Sequence, residues 1–188
     1  MPKTLSGSLW VSKFPTSTSV DDLEATFRSN VKNFLSALKT AGASVSIAAT
    51  LRPKERAYLM HWSYGVANEG VDPSDVPAMA GVDIEWVHTD KDGKKNIDAS
   101  KLGAKAMVDG YGIAFRPALT SRHTEGKAID MDISWTSAEL KIKDGGAQDV
   151  VIKTGNKDGS NTQLHTVGKS YGVIKLVTDP PHWSSDGH

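Results

Sequence analysis

The sequence predicts an α+β fold, a small and mostly antiparallel sheet with helices packed on one side. Three observations predict it. The segment 23–38 repeats its apolar residues at helical spacing. The segment 44–49 alternates apolar and small polar residues at strand spacing. The C-terminal half is a series of short apolar runs separated by Gly-, Asp- and Asn-rich turn signals.

The elements follow in order. Residues through about Thr18 read as irregular or extended. A helix then starts, with Ser19 as its N-cap and Asp22 three residues on. Its stripe is Leu23, Phe27, Val31, Phe34, Leu35 and Leu38, and Gly42 ends it. Val45, Ile47 and Ala49 form the buried side of a strand. Pro53 suits the first turn of a second helix with Tyr58, Leu59, Trp62 and Val66 as its stripe. Residues 69–98 are rich in Gly, Asp and Pro and read as a long loop or insertion. A third helix is predicted over 98–108, a loop and strand over 118–134, and a strand pair at 140–142 and 150–152. A short helix over 162–171 and a closing strand over 173–177 complete the chain.

A chain of 188 residues suits one domain, 1–188, with a real hydrophobic core. Apolar residues at 38% and charged residues at 23% exclude the disordered class. Lys plus Arg and Asp plus Glu each number 22, so no net field steers the chain onto nucleic acid. No apolar run approaches the roughly 20 residues of a membrane span. Cysteine is absent, which excludes disulfides, thiol catalysis, iron–sulfur clusters and Cys-ligated zinc. The opening MPKTLSGSLWVSKFP has no apolar run of the signal-peptide kind, so the expectation is synthesis into the cytoplasm and a separate delivery device for any outside target. The chain is expected to be a monomer.

Six histidines are present, and two lie in dense polar settings. The first is the run from Ser121 through His123, Gly126, Ala128, Asp130 and Asp132. Ser121 and His123 share a face of an extended segment, as do Ala128, Asp130 and Asp132. Gly126 permits a bend that returns the Asp130 carboxylate beside the His123 imidazole. The second setting is Asp179-Pro180-Pro181-His182-Trp183. His182 supplies the third ligand of a catalytic Zn2+ site with His123 and Asp130, leaving one position for water. Zinc lowers the pKa of that water to about 7. Asp179 is the candidate general base, and Arg52 the candidate cation for the developing oxyanion.

Ser121-x-His123-x-x-Gly126-x-Ala128-x-Asp130, with His182-Trp183 far downstream, resembles the signature of the M15 family of zinc peptidases. The family includes D-Ala-D-Ala carboxypeptidases, vancomycin-resistance dipeptidases and phage endolysins that cut the L-alanyl–D-glutamate bond of peptidoglycan. Thr50-Leu51-Arg52-Pro53 is similar to the family's Tyr-Arg segment, with Leu51 in place of the tyrosine. Asp179-x-x-His182 is similar to the endolysin branch, where other branches carry Glu. The likeness spans residues 48–183. It implies a peptidase acting on the stem peptide of bacterial peptidoglycan, delivered by a holin, a tail device or a secretion system. The alternatives are a D-Ala-D-Ala carboxypeptidase or dipeptidase, and a non-catalytic tail or wall-binding module of the same fold.

Other signals are weaker. Asp132 orients a ligand from behind rather than binding the ion, and Ser121 either does the same or ties its loop. Trp183 is expected to line the cleft. Gly168-x-Ser170-x-Gly172 reads as a helix C-terminus, because a nucleophile elbow needs a strand before it. Asp90, Asp92, Asn96 and Asp98 hint at a calcium loop, but its glycine is misplaced and its terminal Glu missing. His61 reads as a packed histidine, while His88, His165 and His188 have no assigned partner.

Overall fold

The computed structural model describes residues 3–188. The fold is α+β. Its helices are α1 (Ala25–Thr40), α2 (Lys54–Asn68), α3 (Ile97–Tyr111) and α4 (Thr162–Ser170). Its strands are β1 (Thr4–Leu5), β2 (Ser44–Ala49), β3 (Ile84–Glu85), β4 (Ala128–Ser134), β5 (Leu140–Lys143), β6 (Asp149–Ile152), β7 (Ile174–Lys175) and β8 (His182–Ser184). The chain divides into two compact units, Met1–Pro15 with Pro53–Thr120, and Thr16–Arg52 with Ser121–His188.

The second unit holds an antiparallel sheet in the order β2-β4-β8-β7 and a β5–β6 hairpin. In β4 the side chains of Ile129, Met131 and Ile133 are buried, while Asp130 and Asp132 point the other way. The buried face meets Phe27, Val31, Phe34 and Leu38 of α1, Leu164 and Val167 of α4, and Trp183 of β8. Full burial of one such aliphatic or aromatic side chain contributes about 1.5–3 kcal/mol, so this layer fixes the sheet's orientation.

The first unit packs α2 on α3, with Trp10, Tyr58, Leu59, Val66, Trp86, Ala104 and Met107 between and around them. Asn96 caps α3 by accepting the Ala99 N–H, and Gly112 closes it at φ +65°. Residues 69–98 contain a single turn of 3-10 helix at Pro73–Asp75 and β3, which pairs in parallel with β1.

Three boundaries differ from the sequence reading. Ser19 caps only a 3-10 turn, Val20–Asp22; Leu23 is extended, and α1 begins at Ala25. There the Glu24 carboxylate accepts the Thr26 and Phe27 N–H groups, both at 3.1 Å, and the Glu24 N–H is held by the Gly126 carbonyl. Pro53 stands one place before α2, as its N-cap, rather than inside the first turn. The closing strand is short: β7 ends at Lys175, and beyond it the Asp179 N–H bonds the Leu176 carbonyl and the His182 N–H bonds the Asp179 carbonyl, closing a turn. His182 therefore lies on a separate strand, inside the sheet rather than at its end.

Candidate metal centre

The register of β4 against β8 pairs Asp130 with His182. Directly opposed residues share a face, so the carboxylate and imidazole meet on the side away from α1. His123 reaches them from the 121–127 turn. That turn is closed by the Gly126 N–H on the His123 carbonyl, with Gly126 at φ +69°. A Cβ at Gly126 would come within 2.9 Å of the Glu24 nitrogen, so both conformation and space require glycine there.

The three ligand atoms form a nearly equilateral triangle. His123 Nε2 lies 3.1 Å from Asp130 Oδ1 and 3.2 Å from His182 Nδ1, and His182 Nδ1 lies 3.1 Å from the same Oδ1. The far nitrogens assign the tautomers. His123 Nδ1 sits 2.7 Å from the Thr50 carbonyl, and His182 Nε2 3.2 Å from the His188 carbonyl. A carbonyl only accepts, so each of these nitrogens carries the proton and donates it. With both rings neutral, the remaining lone pairs point at the Asp130 carboxylate. Three acceptors then converge with no proton among them, and an unsatisfied buried acceptor costs about 1–3 kcal/mol. A cation removes that cost.

The electrostatics agree. Burial works against a charged His182, yet the Asp130 carboxylate hydrogen-bonded to it, with Asp179 nearby, holds its pKa above the ordinary imidazole range. Burial also raises the Asp130 carboxyl, but the His123 and His182 rings outweigh this and hold it well below the usual carboxylate range. The pocket selects positive charge, supplied by a proton or by a metal ion.

The donor set fits zinc. Two imidazoles and one carboxylate are common zinc ligands. Ligand bonds of about 2.0–2.2 Å in tetrahedral geometry put donor atoms about 3.3–3.6 Å apart, a few tenths of an ångström wider than the triangle. The Asp130 side chain is 21% exposed while those of His123 and His182 are 6% and 9%, so the triangle opens to solvent on the carboxylate side. Among the described residues this is the one group of three or more His, Asp or Glu side chains gathered closely enough to hold an ion.

The other expected residues are placed as follows. Arg52 is tied to the site through its backbone, its N–H donating to the His123 carbonyl at 3.0 Å. Asp179 is exposed in the turn that leads into His182, and its N–H and C=O bond Leu176 and His182. Ser121 ties its loop: its carbonyl accepts the Thr124 hydroxyl and its own hydroxyl accepts the Thr124 N–H. Asp132 is exposed one strand pair beyond Asp130, where it lines a cavity of about 320 Å³ with Asp158, Ser160 and Lys175. Trp183 does not line a cleft. It is fully buried, packed against Phe34 and His165, because alternation along β8 sends it to the side opposite His182. Asp90 spends one carboxylate oxygen on the Asp92 and Lys94 N–H groups, holding its own loop.

Two groups missed in the sequence reading belong to the site, the Thr50 and His188 carbonyls. No side-chain pattern marks a backbone acceptor. His88 and His165 do have partners, the Ser6 hydroxyl and the Gly159 carbonyl. No family model matches the chain, and no curated protein matches it.

Proposed function

We propose that the protein is a zinc-dependent peptidase that hydrolyses the stem peptide of bacterial peptidoglycan at the L-alanyl–D-glutamate bond. The observation that carries the metal chemistry is the triangle of three converging acceptors, open on one side. The choice of substrate rests on the resemblance of Ser121-x-His123-x-x-Gly126-x-Ala128-x-Asp130, Asp179 and His182-Trp183 to the M15 peptidases.

Zinc held by His123, Asp130 and His182 would lower the pKa of a water to about 7 and polarise the scissile carbonyl. The protein's own groups do the rest. The Thr50 and His188 carbonyls fix which nitrogen of each imidazole carries a proton and hold both rings correctly turned. Asp179 accepts a proton from the attacking water and passes it to the leaving amine; its exposed position keeps the carboxylate open to a substrate. Arg52 stabilises the negative charge that builds on the carbonyl oxygen. The product pair is a new carboxylate on L-alanine and a new amine on D-glutamate. A protein delivered to the cell wall after synthesis would meet this substrate.

The test is to incubate purified sacculi with the protein and zinc, then identify the new termini by mass spectrometry. Solubilised wall with N-terminal D-glutamate and C-terminal L-alanine is expected, and EDTA abolishes it. Release of free D-alanine with stems left intact would replace the endopeptidase with a carboxypeptidase. No cleavage of any stem would leave a binding module.

A further inference from the structure

Lys175 is the one lysine among the buried residues, and neither the metal triangle nor the proposed chemistry uses it. It ends β7, where its backbone pairs with Trp183 and its ammonium lies 5.7 Å from that ring. An ammonium has three N–H donors. All three are spent on one short turn: Nζ donates to the carbonyls of Leu176 at 2.5 Å, Asp179 at 2.5 Å and His182 at 3.0 Å.

Those three carbonyls already accept backbone hydrogen bonds that define the turn. Leu176 accepts from Asp179, Asp179 from His182, and His182 from Leu176. The result is three carbonyl dipoles aimed at one point, an arrangement that repels itself unless a cation sits there. Pro180 and Pro181 have no N–H, so neither can contribute a backbone donor to this turn. The turn carries Asp179 and ends on the metal ligand His182.

We propose that Lys175 is a positioning residue whose ammonium, from behind the sheet face that bears His182, holds the 176–182 turn closed and so fixes Asp179 and His182 in place. The role of those two residues rests on the metal-site reading above; the closure of the turn does not. Burial pulls the lysine toward its neutral form, and Asp179 and Asp130 pull it back toward the charged one. The charge, rather than the bulk of the side chain, is the feature that matters.

The absence of cysteine gives a clean test. Lys175→Met keeps the length and removes charge and donors. Lys175→Cys, alkylated in denaturant with bromoethylamine and refolded, rebuilds an ammonium at nearly the same length; iodoacetamide gives an uncharged adduct. Two readouts are taken on the full chain: hydrogen exchange at the Asp179 and His182 amides without metal, with the Trp135 amide, bonded to the Lys157 carbonyl at 3.1 Å, as control, and zinc affinity by chelator competition. In Lys175→Met, exchange at both amides should rise at least about tenfold with Trp135 unchanged, and zinc affinity should fall about 10–100-fold. The charged adduct should recover both, and the uncharged one neither. Unchanged exchange in Lys175→Met, or equal recovery by the two adducts, overturns the proposal. If Lys175→Met does not fold, the two adducts decide the matter by which of them refolds with protected amides. If the unsubstituted protein binds no zinc, the metal reading fails while the exchange comparison still decides the role of Lys175.

Discussion

Each compact unit contains histidines with hydrogen-bonded ring nitrogens, and the two units use them differently. In the first unit His61 Nδ1 meets the Pro117 carbonyl at 2.7 Å and the ring stands edge-on to Trp62. His88 Nε2 meets the Ser6 hydroxyl at 2.9 Å, a group that can both give and take a proton. Each ring there has a complementary partner and needs nothing else. In the second unit His123 and His182 also donate to carbonyls, but their second nitrogens face each other and a carboxylate. A histidine with a satisfied nitrogen is ordinary structure. Two histidines satisfied on the far side, with lone pairs converging on the near side, are a site.

The comparison breaks most sharply at the ligands. His123→Ala, Asp130→Ala or His182→Ala should each abolish stoichiometric zinc, measured as metal content after exhaustive dialysis of folded protein. His61→Ala and His88→Ala should keep it in full. Zinc retained by all three ligand variants would place the metal elsewhere and dissolve the distinction between the units.

A smaller effect separates holding the ion from using it. Asp179→Ala should keep zinc and fold while lowering turnover on sacculi about 10²–10⁴-fold. Arg52→Ala should also keep the metal and cost about 10²–10³-fold, as loss of a group that stabilises an oxyanion does. Near-full activity in Asp179→Ala would move the base to another group. Glu125, two residues after His123, is already ion-paired with Arg122 at 2.8 Å and Lys127 at 3.6 Å, which makes it a poor replacement.

The smallest effect lies in the first unit. His61→Ala removes one side-chain hydrogen bond and an edge-on ring contact, so denaturant unfolding should report a loss of about 0.5–1.5 kcal/mol from the bond. Zinc affinity should not move. A change in zinc affinity would mean that the first unit shapes the site after all.

The fold class was legible because hydrophobic period is local. The stripe from Phe27 to Leu38 and the alternation over 44–49 need no partner to be seen, and both became α1 and β2. The 140–142 and 150–152 runs became the β5–β6 hairpin for the same reason. The boundaries were harder where distant groups competed. Ser19 has the chemistry of a helix cap, but the Gly126 carbonyl claims the Glu24 N–H, and α1 starts at Ala25 with Glu24 as its cap, five residues beyond Ser19.

For the site, sequence determined the residue types: an imidazole, a glycine bend and a carboxylate on an alternating strand, then a second imidazole far downstream. Glycine at 126 and the period of two in β4 already place His123 near Asp130. Only the tertiary structure decided the rest. The β4–β8 register sets His182 against Asp130 and sends Trp183 into the core, and pairing between strands more than 40 residues apart is set by the whole sheet. The tautomers were decided by the carbonyls of Thr50 and His188, which every residue type carries alike. Lys175 showed in sequence only as a charge interrupting an apolar run. Its three acceptors exist because the chain folds back on itself after β7, a path that side-chain chemistry alone does not encode.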